Sequence, residues 1–128
     1  MSKTTFSLHS PLDMHIHFRE GAMLRRVAPL SAETFSGGVI MPNLVPPVDN
    51  QDRLDRYERE IREVVERHAF EPYMTLFLRP YTESELASMK DRIIGVKLYP
   101  EGVTTHSEEG VGELRDVEDT LALMQDLD

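Results

Sequence analysis

Asp13-Met14-His15-Ile16-His17-Phe18-Arg19 is the stretch on which the reading of the fold turns. Polar and large apolar residues alternate along it, and alternation with a period of two is the mark of a strand, whose successive side chains point to opposite faces. Read as a strand over 13–18, it projects His15, His17 and Arg19 together while Met14, Ile16 and Phe18 pack behind. Two imidazoles one residue apart on a strand can reach a single metal ion, and imidazole suits zinc and its neighbours in the divalent series. The arginine one step further on is placed to hold an anionic group beside that metal, because a planar guanidinium grips a carboxylate through two parallel hydrogen bonds.

Outward from this stretch the chain alternates strands and helices. The spacing predicts a helix over 24–35, disturbed at Pro29. Gly37-Gly38 reads as a break before Val39-Ile40-Met41, a short apolar run of the kind that forms a strand buried on both faces, ended by Pro42-Asn43. Asp49 or Asn50 can cap the next helix, which carries Leu54, Tyr57, Ile61, Val64, Val65 and His68 at three- and four-residue steps. A third strand is expected over 73–78, stopped by Pro80. Thr82-Glu83-Ser84-Glu85 has the form of a capping box and opens a short helix toward Arg92. A fourth strand over 93–99 closes at Pro100, a polar loop runs from Gly102 to Gly112, and a last helix covers 117–127.

Four strand–helix units in series, with apolar strands, predict a parallel sheet covered by helices. The right-handed crossover rule leaves a doubly wound sheet or a (β/α) barrel. No Gly-rich phosphate loop follows any strand, which favours the barrel. Catalytic groups of a barrel sit at the C-terminal ends of its strands, and His15, His17, Asn43 and Lys97 all fall at or near such ends. The expectation is therefore an α/β chain forming the first half of a (β/α)8 TIM barrel, with residues 1–128 as one incomplete barrel domain.

The 128 residues are 40% apolar, enough for an ordinary core, and carry a formal charge of −9 with no basic cluster. Nothing in that pattern would neutralise a phosphate backbone, so nucleic acid is not an expected partner. The chain contains no cysteine, which removes disulfides, thiolate nucleophiles and thiolate zinc sites together, and leaves His and carboxylates as metal ligands. The first ten residues lack an apolar leader core and no run approaches membrane-spanning length, so a cytoplasmic protein without a membrane partner is expected.

Asp-Met-His-Ile-His-Phe-Arg at residues 13–19, Val-Ile-Met-Pro-Asn-Leu at 39–44 and Gly-Val-Lys-Leu-Tyr-Pro at 95–100 together closely resemble the dihydroorotases of the single-function bacterial type, within the metal-dependent amidohydrolases. The likeness runs from about Leu8 to the last helix. It implies that His15 and His17 bind one zinc ion and that Lys97 is carbamylated and bridges two. It further implies that Arg19 and Asn43 bind a substrate carboxylate, and that Thr104 and Thr105 belong to a mobile loop that closes over the substrate. The family reaction is the reversible closure of N-carbamoyl-L-aspartate to L-dihydroorotate in pyrimidine synthesis, and a homodimer is implied for the complete enzyme. The family's remaining metal histidines lie on the fifth and sixth strands and its proton-transfer aspartate on the eighth. All are expected beyond Asp128, so these residues by themselves are expected to be inactive.

The chemistry suits these residue types. Neutral imidazoles ligate without cancelling a cation's charge, whereas an ammonium has no lone pair and Lys97 becomes a ligand only once converted to a carbamate. Asn43 offers a donor and an acceptor to a ureido or carboxylate group. The 102–112 loop is polar enough to serve as a lid. His68 reads as structural on its helix, and His9 and His106 as solvated; the methionines read as packing or surface residues. Two other functions fit less of this pattern. One is a hydantoinase-like cyclic amide hydrolase; the other is a non-catalytic assembly module that keeps the half-barrel.

Overall fold

The computed structural model describes residues 3–127. Strand β1 (Leu12–Ile16) leads to helix α1 (Gly21–Ala32), then β2 (Gly37–Ile40), α2 (Gln51–Val64), β3 (Glu71–Phe77), α3 (Glu83–Met89), β4 (Ile93–Lys97) and α4 (Glu118–Leu127). The strands form one sheet in the order β1-β2-β3-β4, every neighbouring pair parallel. That order decides between the two predicted architectures. A doubly wound sheet reverses its strand order at a switch point, placing helices on both faces. Sequential order with crossovers of one hand keeps every helix on one face and curls the sheet toward closure. The fold is the first half of a (β/α)8 barrel.

Burial follows from this arrangement. Ile16, Phe18, Ile40, Met74 and Leu76 share one core with Leu24 and Ala28 of α1, Leu54, Tyr57 and Ile61 of α2, and Leu86 and Met89 of α3. Val39, Met41, Phe77 and Tyr99 are also buried but lie outside that cluster, on the opposite side of the sheet. There the Phe77 and Tyr99 rings stack with centroids 5.0 Å apart. Asn50 caps α2 by accepting from the Arg53 amide, and Thr82 with Glu85 forms the expected capping box on α3.

Several boundaries differ from the sequence reading, each for a local reason. Gly37 and Gly38 are not a break but the first half of β2. A Cβ on Gly37 would lie 2.6 Å from the Glu71 carbonyl oxygen, and one on Gly38 2.2 Å from Ile16 Cδ1, so the glycines are what allow β1 and β3 to close on β2. Helix α1 begins at Gly21, where the Gly21 amide donates to Glu60 Oε1 of α2 at 3.0 Å, and it runs on through Pro29 as a single element. β3 starts two residues early, with Pro72 near its first turn of pairing, where a missing N–H is tolerated. β4 ends at Lys97 rather than Tyr99. Met14 does not pack behind its strand; it is exposed on the edge strand β1. His68 lies beyond the end of α2, in a turn where its amide donates to the Val65 carbonyl. Among the described residues no helix is long and apolar enough to cross a membrane.

Candidate active site

β1 is irregular where it matters. Between Asp13 and Ile16 it uses three steps against two on β2, the count of a β-bulge, which re-aims side chains. Asp13 Oδ1 accepts the His15 amide at 2.9 Å and fixes this turn of backbone. His15 and His17 then converge, with Nε2 to Nε2 at 2.9 Å and ring centroids 4.9 Å apart. Ile16 and Phe18, which face the other way, are buried in the core and anchor the pair from behind.

The strand ends bring in the other residues. The Met41 amide donates to the Ile16 carbonyl, so the chain after β2 is held beside the histidines. Asn43 is buried there with only 3% of its surface exposed. Its Nδ2 donates to the Thr105 carbonyl at 2.9 Å. A carbonyl only accepts, so this bond settles which amide atom is nitrogen and leaves Oδ1 buried without a partner. Arg19 has φ +63 and donates from Nη1 to the Asn43 carbonyl at 3.3 Å. Lys97 pairs with Phe77 across β3–β4 and is half-buried.

His17 registers the whole group. His17 is exposed, yet its partial burial first, and the charge of Arg19 next, hold its pKa below the ordinary histidine value. The nearby Asn43 side chain opposes this, while the charges of His15 and Lys97 add to it. A neutral imidazole with a free nitrogen is the form that ligates a cation.

The pair passes a simple test of fit. Two nitrogens each about 2.1 Å from one zinc ion stand roughly 3.4 Å apart at a tetrahedral angle. The observed 2.9 Å therefore opens into a single-cation site by a small movement of either ring. The expected pair of zinc ions finds less here. Among the described residues no three His, Cys, Asp or Glu side chains stand together as a metal site. This segment brings two imidazoles and, in Lys97, an amine.

The loop after β4 carries hydrogen bonds of its own. Val111 donates to the Tyr99 carbonyl and Glu101 to that of Val111, closing its base. Thr104 and Thr105 are exposed, and it is the backbone carbonyl of Thr105, not its hydroxyl, that meets Asn43. His106, read from the sequence as solvated, is half-buried with Nδ1 3.3 Å from the Asn43 carbonyl oxygen. No local pattern distinguishes such a histidine from a loop residue; the contact spans 63 positions.

A half-barrel of sequential parallel strands, with paired imidazoles at the end of the first and a lysine ending the fourth, has the strand-end layout of half a (β/α)8 barrel site. No protein-family model matches the chain. The dihydroorotase of Halorhodospira halophila is 41% identical over 126 residues, which are 95% of this chain and 36% of that protein. The crystal structure of dihydroorotase from Campylobacter jejuni superposes with a TM-score of 0.88 at 47% identity, over 92% of this chain and 36% of that one. Dihydroorotase from Saccharomyces cerevisiae, solved with 5-fluoroorotic acid, gives a TM-score of 0.81 at 34% identity over 91% and 33% of the two chains. The chain thus corresponds, in sequence and in fold, to the N-terminal portion of a dihydroorotase. It spans about a third of the length of the curated relatives it matches.

Proposed function

We propose that residues 1–128 form the first half of the single barrel domain of a zinc-dependent dihydroorotase. The complete enzyme, cytoplasmic and homodimeric, closes N-carbamoyl-L-aspartate reversibly to L-dihydroorotate in de novo pyrimidine synthesis. The observation that carries this reading is the gathering of His15, His17, Arg19, Asn43 and Lys97 at one end of a parallel half-barrel. An assembly module has no physical need of all five.

His15 and His17 would hold a divalent cation. Lys97 would add a third ligand as a carbamate, formed when its neutral amine adds carbon dioxide and releases a proton, which turns a cation into a long-armed carboxylate; the remaining ligands belong to the later strands. A bound divalent cation supplies a water whose pKa falls from about 15.7 to roughly 7, and it polarises a carbonyl. Arg19 spends one N–H on the Asn43 carbonyl and keeps the rest of its fork for a substrate carboxylate. Asn43, with Nδ2 turned to the loop and Oδ1 unpaired, suits an N–H donor such as a ureido group. The Thr104 and Thr105 hydroxyls would serve the substrate from the loop, and the proton-transfer aspartate belongs to the later strands.

The test is metal analysis and ring opening of dihydroorotate by the full-length protein. Chelation should abolish turnover and added zinc restore it. Turnover of hydantoins but not dihydroorotate would replace the substrate assignment. A protein that holds no metal and opens neither ring would leave the assembly module as the function.

A further inference from the structure

The loop between Tyr99 and Gly112 is a small folded body. Ser107 is fully buried at its centre. Its carbonyl accepts from the amides of Gly102 at 2.8 Å and Gly110 at 2.9 Å. Its hydroxyl donates to the Thr104 carbonyl at 2.6 Å and accepts the Thr104 amide at 2.9 Å. A Cβ on Gly110 would lie 2.4 Å from the Tyr99 carbonyl oxygen, so the body is also tightly closed. It meets Asn43 through two bonds running in opposite senses. Asn43 Nδ2 donates to the Thr105 carbonyl at 2.9 Å, and His106 Nδ1 lies 3.3 Å from the Asn43 carbonyl. That oxygen can only accept, so His106 must carry its proton on Nδ1. The same oxygen accepts Arg19 Nη1 at 3.3 Å, so one carbonyl joins the loop to the residue read above as the carboxylate clamp.

We propose that His106 is a positioning residue that docks the 100–112 loop on the end of β2 before substrate arrives. This deepens, and rests on, the reading of the site given above. A loop ordered in advance does not pay its ordering cost out of substrate binding. Losing the dock should therefore raise KM while leaving kcat nearly unchanged, because His106 touches Asn43 and not the reacting atoms. The position has a demanding backbone: His106 has φ +56, a conformation that Asn and Asp also tolerate. Asn places Nδ2 where His places Nδ1, and Asp places an oxygen there that cannot donate. The pair separates the donor from shape and from backbone strain.

The experiment compares wild type, His106→Asn and His106→Asp in the full-length protein. Amide exchange at Gly102, Thr104 and Gly110, followed without substrate, reads docking directly, and steady-state kinetics on dihydroorotate read its consequence. His106→Asn should match wild type in both. His106→Asp should speed exchange at these amides and raise KM by roughly five-fold or more, the worth of one net hydrogen bond, with kcat within about two-fold and metal content unchanged. Exchange in His106→Asp equal to wild type would overturn the proposal, as would His106→Asn failing to restore protection. If wild type does not turn over dihydroorotate at all, the functional reading falls while exchange still judges the dock.

Discussion

Arg19 is held at φ +63, a conformation that a residue with a side chain keeps only where its surroundings fix it. The bond from Nη1 to the Asn43 carbonyl is part of that fixing. Arg19→Lys keeps the charge but loses the two-pronged donor. In the complete enzyme it should leave metal content unchanged and raise KM for dihydroorotate about ten-fold, as measured by metal analysis and steady-state kinetics. Loss of metal with unchanged KM would reverse the division of labour between Arg19 and the histidines. Lys97→Ala should do the opposite, lowering bound metal and cutting kcat by at least about 100-fold, since small misplacements of reacting groups already cost that much. At this scale the sequence was most legible where residues are local to each other. His15 and His17 are two positions apart, so strand periodicity pointed to their sharing a face, while the bulge between Asp13 and Ile16 that re-aims them was not legible. The burial of Asn43 and the contact of His106 with it were not legible, because they depend on how a loop after β4 folds back on the end of β2.

Helix α3 shows how one element depends on a few polar atoms. Glu85 accepts the Thr82 amide, and Thr82 Oγ1 accepts the Glu85 amide in return. The Thr82 amide, then Arg79, hold the Glu85 carboxyl down to about 2. A carboxyl whose folded pKa is depressed stabilises the fold above its unfolded pKa of about 4.3. That contribution fades as the pH falls from about 4.3 toward 2. Glu85→Gln should therefore lower the melting temperature at pH 7, and its gap from wild type should narrow across this acid window. Thermal scans at several pH values check it, and a gap that stays constant to pH 2 would mean that the charge of Glu85 contributes nothing. β2 depends on absent atoms instead. Gly37→Ala would drive a methyl into the Glu71 backbone, which cannot retreat as a side chain can, so it should cost about 3 kcal/mol or more, read from denaturant unfolding. The capping box was legible because its residues sit three apart. The glycines were misread as a break because a single sequence does not reveal which backbone will pass close to them.

At the scale of the molecule, the sheet has, among the described residues, two unpaired edges. β1 exposes Leu12 and Met14, β4 exposes Ile94 with Leu98 exposed just beyond its end, and a cleft of about 650 Å³ opens between β4, α3 and α4, lined by Leu86, Ile94 and Met124 among others. Open parallel edges with apolar flanks are templates for further pairing. The half-barrel was legible from four strand–helix units in series, from the missing Gly-rich loop and from polar residues gathered at strand ends, and the sequential strand order bears it out. A polypeptide of residues 1–128 expressed by itself should bind a hydrophobic dye and elute larger than a monomer, and Ile94→Lys should reduce both. A monomer with one cooperative thermal transition would show that the edges protect themselves. The same polypeptide, supplied with zinc and bicarbonate, should show no ring opening of dihydroorotate above a metal-free blank. Its two imidazoles can hold a cation loosely, but nothing within residues 3–127 adds a third His or carboxylate ligand to them. Misplacement of the reacting groups by about 1 Å costs on the order of 100-fold. Adding the later strands of a dihydroorotase barrel as a second polypeptide should restore turnover, because β4 and β1 would then find parallel partners and Lys97 would be held toward the histidines. Metal-dependent turnover by residues 1–128 unaided would show that the ligand set is complete without those strands.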